Sequence, residues 1–188
     1  MSNPPPRAPL QSFDQKDRND SPWPVRTRVA MLAWEYCWAV FCAWTPKPWN
    51  AWRLAWLRLF GATVHGTPFV HQRARIQIPW NITLHDGACL GDRANLYSLA
   101  HIEIGARAVI AQEAYLCTGT HDLDDPAFAL KIAEIRVGDD AFVGARAFVL
   151  PGVTIGARAV VGACAVVTRS VPDGTIVAGN PATFVRNR

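Results

Sequence analysis

The sequence predicts a mainly β protein, a parallel β-helix of about five triangular coils with an N-terminal helical segment. Two observations carry this prediction: aliphatic residues recur every six positions from Val64 onward, and all eight tryptophans lie within the first 80 residues. A period of six matches neither the helical repeat nor the simple alternation of a strand. It matches a short strand followed by a corner, and three such units close one coil.

The six-residue register is longest near the C-terminus and extends back, with small shifts of phase, to the middle of the chain. The longest run is Val137, Val143, Val149, Ile155, Val161 and Val167; the earlier blocks are Val64, Val70 and Ile76, then Leu84, Leu90 and Leu96, then Ile104, Ile110 and Leu116. Alanine often stands two residues before these positions and glycine often follows them, as tight corners require. At three positions a coil they make about five coils at residues 61–177, stacked to roughly 24 Å.

The composition is that of a globular protein and excludes several classes. The chain has 188 residues, enough for one domain, with 50% hydrophobic and 18% charged residues. Its 19 basic and 15 acidic residues leave a net charge of +4, which is too small to indicate nucleic acid, and we expect no such partner. Five scattered cysteines without CxxC pairing indicate neither a disulfide framework nor a cysteine zinc site.

The two ends of the chain differ from the repeat. Residues 1–24 contain PPP and few apolar side chains, so we expect a disordered tail. We do not expect a signal peptide there, because no basic start leads into an apolar core. Residues 178–188 follow the last coil as a C-terminal segment. We expect this segment and the N-terminal helices to cap the exposed strand edges at the two ends of the stack.

Residues 25–60 form a tryptophan-rich segment that we predict to be a pair of helices. The apolar stretch at 29–44 is sixteen residues long and contains Glu35, so it is shorter than the roughly 20 residues that cross a bilayer. A Pro-x-Pro sequence then interrupts the helical pattern. After the interruption, Trp49, Trp52 and Trp56 recur at helical spacing.

The region around this segment is also cationic. Between residues 21 and 80 the one acid is Glu35, against seven basic residues: Arg26, Arg28, Lys47, Arg53, Arg58, Arg73 and Arg75. Such a surface suits peripheral contact of residues 25–60 with an anionic membrane. The alternative is that the aromatic rings pack the helices onto the rest of the protein or onto a neighbouring subunit. Packing is the more common role of aromatic stripes and is favoured, although both interpretations stay open.

Insertions interrupt the repeat at three points. Between Leu116 and Val137 the chain runs 21 residues, three more than three hexads use, and this stretch opens with the polar string CTGTHDLDDP. We therefore expect a loop at 117–134 to leave the prism. Two earlier insertions add two residues each, and the first of them carries IPWN at 78–81.

Six motifs carry a family resemblance. They are RLFGATV at 58–64, PWNITL at 79–84, LCTGTHD at 116–122, VLPGVTIG at 149–156, VGACAVVTRSVP at 161–172 and AGNPA at 178–182. In this order they resemble the hexapeptide-repeat acyltransferases, most closely the colanic-acid-biosynthesis type of sugar O-acetyltransferase, which is related to the maltose and galactoside acetyltransferases. The resemblance covers about residues 45–188. It implies a left-handed coil, a homotrimer with the active site between adjacent prisms, and acetyl transfer from acetyl-CoA to a carbohydrate hydroxyl in a ternary complex.

The resemblance also implies catalytic residues. By the motif match His121 is the general base, and an imidazole can accept the proton of an acceptor hydroxyl at neutral pH. Asn81 matches the asparagine that orients the acceptor, and the implied trimer brings it from a different chain than His121. A purely structural role for Asn81 as a corner cap stays open. Asp122, Asp124 and Asp125 either orient the histidine or solvate the loop, and we favour solvation.

For the co-substrate acetyl-CoA the resemblance implies the outer face of the last coils. The matching positions are Gly144, Ala145, Ala163, Thr168, Arg169 and Arg186. Arginine pairs well with the phosphate groups of the coenzyme, and a backbone N–H near Gly144 or Ala145 is a candidate donor to the oxyanion. The alternative for each arginine is that its charge is solvated by water and does not bind the coenzyme. Phe142 stands where related sugar acetyltransferases often have tryptophan. We expect this difference to affect local packing more than the chemistry of the site.

Three rival functions are compatible with a β-helix. A xenobiotic acetyltransferase would use the same histidine on an antibiotic hydroxyl, whereas the tryptophan-rich segment favours the polysaccharide type. A metal-dependent hydratase needs a pair of loop histidines at H-x4-H spacing, which the five histidines do not supply, so we expect no metal. A non-catalytic scaffold would need no base in a long loop, so the CTGTHD motif argues against that function. We therefore predict an acetyl-CoA-dependent O-acetyltransferase of exopolysaccharide or lipid-linked oligosaccharide precursors, in the cytoplasm or at the inner face of its membrane.

Overall fold

Two helices precede the repeat in the structure, a computed structural model that describes residues 7–13 and 21–188. Helix α1 spans Val25–Phe41 and α2 spans Asn50–Leu59, and a 3₁₀ turn at Lys47–Trp49 joins them. Helix α1 begins directly after Pro24, whose extended backbone suits a helix start. Within the described ranges, no helix is both long and apolar enough to cross a membrane.

The described residues contain short strands that follow one another coil by coil. In chain order they are β1 Gln11–Ser12; β2 Thr63–Val64, β3 Phe69–Val70 and β4 Arg75–Ile76; β5 Ile82–Leu84, β6 Cys89–Leu90 and β7 Asn95–Tyr97; β8 Ile102–Ile104, β9 Val109–Ile110 and β10 Tyr115–Cys117; β11 Gly119–His121 and β12 Leu130–Ile132; β13 Ile135–Val137, β14 Phe142–Val143 and β15 Phe148–Val149; β16 Thr154–Ile155, β17 Val160–Val161 and β18 Val166–Val167; β19 Thr175–Ala178 and β20 Thr183–Asn187. A 3₁₀ turn at Pro79–Asn81 precedes β5.

Three parallel sheets form the sides of a triangular prism. Sheet 1 contains β2, β5, β8, β13 and β16; sheet 2 contains β3, β6, β9, β14, β17 and β19; sheet 3 contains β4, β7, β10, β15 and β18. The prism therefore has five complete coils, as predicted, and a partial sixth that begins where Val171 bridges to Ile155. Strand β20 pairs antiparallel with β19 and covers the edge of sheet 2.

The predicted hexad register is confirmed residue by residue. In sheet 1, Val64 lies opposite Leu84 and Leu84 opposite Ile104, and the same column continues through Val137 to Ile155. Sheets 2 and 3 preserve their columns in the same way. These aliphatic side chains are almost all fully buried and form one apolar column along the prism axis. Removing this surface from water is the main force that holds the coils together.

The helices close the N-terminal end of this column. Leu54, Leu57 and Trp34 pack against the first coil, and the Trp34 indole N–H donates to the Ile76 carbonyl at 2.7 Å. Arg53 also lies in this contact and is completely buried, so it is not part of the cationic surface. The structure thus assigns one face of each helix to the cap.

Residues 7–13 run along the outside of the loop that leaves the prism. Strand β1 pairs antiparallel with β12, Ala8 N–H donates to the Gly152 carbonyl at 2.9 Å, and Phe13 N–H donates to the Leu130 carbonyl at 2.9 Å. The predicted disordered tail is therefore wrong for residues 7–13, because the edge of β12 offers backbone groups that this polar segment pairs. The predicted tail positions 1–6 and 14–20 lie outside the described residues.

Candidate active site

All three insertions fall at the same corner of the prism. Each one separates a strand of sheet 3 from the next strand of sheet 1: β4 from β5, β7 from β8, and β10 from β13. The first insertion contains Asn81 and the last contains His121. The corner between sheets 3 and 1 is therefore the edge at which the polar candidate residues collect, because the other two corners keep the strict six-residue step.

A second, smaller apolar core supports the loop at this corner. Strands β11 and β12 form an antiparallel ribbon in which His121 lies opposite Leu130. Leu130 and Ile132 pack with Ile78 and Leu99, which come from the two shorter insertions. Because the three insertions share this core, the loop has a defined position on the prism and can hold a side chain in a fixed place.

His121 is exposed on the loop, and its ring orientation is set by one residue. Its Nδ1 lies 2.8 Å from the Phe128 carbonyl oxygen, and the imidazole stacks on the Phe128 ring at 4.5 Å and 16°. A carbonyl oxygen only accepts, so Nδ1 carries a hydrogen, and in the neutral imidazole the lone pair is then on Nε2. The imidazole is thereby in the tautomer that a general base requires at Nε2.

The acidic residues next to His121 serve the loop itself. The Asp122 carboxylate pairs with Lys131 at 2.6 Å, and this bond holds the pKa of Asp122 below its usual value. The same carboxylate accepts the Asp124 N–H at 3.2 Å, and the Asp125 carboxylate accepts the Ala127 N–H at 2.9 Å. The group that orients the imidazole is instead the Phe128 carbonyl, which sequence reasoning missed because any residue supplies a backbone carbonyl.

Asn81 is half-buried in the 3₁₀ turn at the corner and bridges to the next coil. Its side-chain Nδ2 donates to the Ser98 carbonyl at 2.9 Å and to the Leu99 carbonyl at 3.0 Å. Both amide hydrogens are therefore used within the chain, and Oδ1 is left to accept a hydrogen bond. Asn81 therefore caps the corner through Nδ2. It can also orient an acceptor substrate, but only through a hydrogen bond to Oδ1.

A groove of about 470 Å³ opens beside Asn81. It is lined by Asn81, His101, Glu134 and Gln11 among others, and His121 is not among its lining residues. Although both residues belong to insertions at one corner, the structure of a single chain does not bring His121 into the groove that contains Asn81.

Replacing Asn81 by alanine is expected to lower stability as well as activity. Two carbonyls, those of Ser98 and Leu99, lose their donor, so we expect a loss of about 1–3 kcal/mol in the free energy of unfolding. Thermal unfolding followed by circular dichroism measures this loss. Asn95→Ala is the matched control, because Asn95 is also half-buried and its side chain makes no hydrogen bond in the part of the chain that the structure describes. An unchanged melting temperature in Asn81→Ala would contradict the capping role.

Three of the six residues expected to contact acetyl-CoA meet at the corner between sheets 2 and 3. Gly144 lies directly over Ala163, and a Cβ added to Gly144 would stand 2.6 Å from the Ala163 nitrogen. Glycine is therefore required for the coils to approach here. Gly144 N–H donates to the Val161 carbonyl at 2.8 Å, while the N–H groups of Ala145 and Ala163 have no partner among the described residues. Two adjacent backbone donors are thus available to a polar ligand.

The other three expected contacts lie elsewhere. Thr168 and Arg169 follow β18 at the corner between sheets 3 and 1, where Thr168 is half-buried and Arg169 exposed. Arg186 is exposed on β20, opposite Ile176, and its guanidinium donates to the Asn187 carbonyl at 3.0 Å. The structure therefore brings Gly144, Ala145 and Ala163 together at one corner and places Thr168, Arg169 and Arg186 on other elements. Phe142 is partly exposed on sheet 2, outside the apolar column.

Comparison with known proteins identifies the family. A model of the bacterial transferase hexapeptide (six repeats) matches residues 134–169. The chain is 41% identical over 160 residues to the colanic acid biosynthesis acetyltransferase WcaF of Escherichia coli (strain K12), covering 85% of this chain and 88% of that protein. The chain belongs to the hexapeptide-repeat acetyltransferases. The sequence-based resemblance is thereby confirmed.

Solved structures agree with this membership. The hexapeptide-repeat containing acetyltransferase VCA0836 from Vibrio cholerae matches this hexapeptide-repeat acetyltransferase with a TM-score of 0.79 at 27% identity, over 87% of this chain and 93% of that one. The same protein complexed with acetyl-CoA matches at 0.77 and 25% identity, over 86% and 87%. A galactoside acetyltransferase in complex with coenzyme A has the same fold, with a TM-score of 0.80 at 19% identity over 89% and 84%.

These relationships establish the reaction class. This hexapeptide-repeat acetyltransferase is an acetyl-CoA-dependent acyltransferase, and acetyl-CoA is its co-substrate. The N–H groups of Ala145 and Ala163, which lack a partner in the described part of the chain, fit such a ligand, because its pantetheine amides offer carbonyl acceptors. Within the described ranges, no three histidine, cysteine or acidic side chains gather in a group that could hold a metal ion.

Proposed function

We propose that this acetyltransferase transfers the acetyl group of acetyl-CoA to a hydroxyl of a carbohydrate, with His121 as the general base. The observation that carries the proposal is the bond from His121 Nδ1 to the Phe128 carbonyl, which leaves Nε2 as a base on an exposed loop. The matched relative WcaF is named for colanic acid biosynthesis, which supports a polysaccharide precursor as the acceptor.

The proposed reaction is a direct transfer in a ternary complex. His121 Nε2 takes the proton of the acceptor hydroxyl while the hydroxyl oxygen attacks the carbonyl carbon of the thioester. The new C–O bond forms and the C–S bond breaks, so the acetyl ester and the thiolate of coenzyme A result. The imidazolium then returns the proton to the thiolate, which restores the base and balances the reaction.

Within the described ranges, one of two candidate backbone N–H groups remains free to stabilise the oxyanion of the transition state. Both Gly144 and Ala145 were candidates from the sequence. Gly144 N–H is already bonded to the Val161 carbonyl at 2.8 Å, whereas Ala145 N–H has no partner in the described part of the chain. We therefore assign Ala145 N–H to the developing negative charge on the thioester oxygen, together with Ala163 N–H for the coenzyme. Thr168, Arg169 and Arg186 stay proposed coenzyme contacts.

We further propose that the enzyme acts as a homotrimer with its site between adjacent prisms. The groove beside Asn81 is not lined by His121 of the same chain, which supports a site completed by His121 of a neighbouring chain. In this arrangement Asn81 Oδ1 accepts a hydrogen bond from the sugar while the neighbour supplies the base. An isolated chain would then be inactive.

The acceptor class that we propose is an exopolysaccharide or lipid-linked oligosaccharide precursor at the cytoplasmic face of a membrane. The experiment that tests it incubates the purified full chain with acetyl-CoA and a panel of sugars, sugar nucleotides and lipid-linked glycans, and measures released thiol. Mass spectrometry identifies the product, and cleavage by hydroxylamine distinguishes an ester from an amide. Release of thiol with an antibiotic alone would favour the xenobiotic alternative, and acetylation of an amine would contradict O-transfer.

A further inference from the structure

Helix α1 is apolar on two opposite faces, and residues 7–13 and 21–188, which the structure describes, cover only one of them. The inner face carries Trp34, which is 3% exposed and bonded to the prism. The outer face carries a single stripe whose members are 53–65% exposed and spaced by three or four residues: Val25, Val29, Leu32, Tyr36 and Val40. A helix that served only to cap the prism would have a polar outer face.

The stripe continues into exposed aromatic rings where α1 meets α2. Trp44, Trp49 and Trp52 are 66%, 51% and 46% exposed, and the rings of Trp44 and Trp49 are in edge contact at 6.1 Å. The indole N–H groups of Trp44 and Trp52 donate to the Val40 and Phe41 carbonyls, so their polar atoms are already paired. The rings therefore present carbon to the outside. We call the stripe and these three tryptophans the apolar face.

Positive charge borders the apolar face. At 100° per residue, Arg26 and Arg28 project about 80° to either side of the stripe, so that one lies along each flank. Both are exposed, as is Lys47 in the connecting turn, and the one acid of residues 21–60, Glu35, lies about 100° from the stripe on the same flank as Arg28. Helix α1 and the turn after it thus border the face with three exposed cations and one anion.

We propose that the apolar face docks this enzyme on an anionic lipid bilayer, with α1 lying in the plane of the membrane surface. An amphipathic surface helix with aromatic anchors and basic flanks binds lipid in this way. The charges argue against a second copy as the occupant, because two copies of this face would bring like cationic rims together. The proposal is independent of acetyl transfer and rests on exposure and charge alone.

The test is co-sedimentation of the full chain with vesicles of phosphatidylcholine, with and without phosphatidylglycerol. We expect binding to the anionic vesicles that weakens in about 1 M salt. The double variant Val29→Glu, Tyr36→Glu should bind at least tenfold more weakly, since two exposed apolar anchors become anionic. Val185→Glu is the matched control, because Val185 is 56% exposed on β20 at the other end of the prism, and it should bind as the native chain does.

A second measurement uses the native chain. Brominated lipid in the vesicles should quench the tryptophan fluorescence, because Trp44, Trp49 and Trp52 lie on the proposed contact face. Absence of quenching, or equal vesicle binding by the native chain and the double variant, would overturn the proposal. A double variant that keeps its melting temperature but sediments as a smaller assembly, with vesicle binding unchanged, would show instead that the face joins copies of the chain.

Discussion

His121→Ala is expected to abolish measurable acetyl transfer while the fold stays intact. General base catalysis contributes about 100- to 10,000-fold to the rate of such steps, so thiol release with acceptor should fall by that factor. The side chain is exposed, and its ring contacts a single residue of the loop, Phe128, among those that the structure describes, so the melting temperature should change little. The measurement is release of free coenzyme A in the presence of the acceptor.

His65→Ala is the matched control for this variant. His65 is also exposed, and its ring also stacks on a neighbour, His85 at 5.0 Å, but it lies at the corner between sheets 1 and 2 of the first coil. This variant should keep the native rate. If His121→Ala released thiol as fast as the native enzyme, the assignment of the base would be wrong. A lower melting temperature in His121→Ala would instead point to a structural role in the loop.

Arg53→Ala is expected to have the largest effect on stability. Arg53 is completely buried and donates from Nε to the Val70 carbonyl at 2.8 Å and from Nη2 to the Lys47 carbonyl at 2.9 Å. Its Nη1 donates to the Thr45 hydroxyl and the Pro46 carbonyl, both at 2.9 Å. None of these acceptors is a carboxylate, so the guanidinium serves as a set of donors that joins α2, the preceding turn and the first coil.

Removal of this side chain leaves the buried Val70 carbonyl and the part-buried Pro46 and Lys47 carbonyls without their donor and opens a cavity under the helices. We expect the free energy of unfolding to fall by about 3–5 kcal/mol and the melting temperature by roughly 10 °C. Calorimetry at a fixed protein concentration measures the shift. Arg58→Ala on the same helix is the control, because Arg58 is exposed and its two hydrogen bonds to described residues, to the Gly66 and Val64 carbonyls, are 3.2 and 3.4 Å long. Equal melting temperatures for the two variants would contradict the role of Arg53.

The prism could be predicted from the sequence because each coil repeats one local geometry. The column through Val64, Leu84 and Ile104 follows from the spacing alone, since a side chain that points inward in one short strand recurs after each corner. The insertions were visible for the same reason: they break the period. Their stacking at one corner, where His121 and Asn81 lie, is a finding of the structure, because it depends on the order of strands in the three sheets.

The bonding of the site residues could not be predicted. The carbonyl of Phe128 orients His121, and the two carbonyls that use the amide hydrogens of Asn81 belong to the next coil. Backbone carbonyls have no sequence signal, because every residue carries one. The burial of Arg53 could not be predicted either. Its charge and its position on a helix suit a solvated surface, and only the packing of α2 on the first coil buries it.

The amino-acid sequence by itself determined the coil architecture, the family and the loop that carries the proposed base, because all three depend on residues at fixed short spacings. The tertiary structure alone decided that residues 7–13 pair with the loop, that Arg53 is internal and that no residue of 7–13 or 21–188 covers the outer side of α1. These features depend on contacts between segments far apart in the chain. Such contacts follow from which backbone donors, acceptors and apolar surfaces remain unsatisfied once the prism has formed.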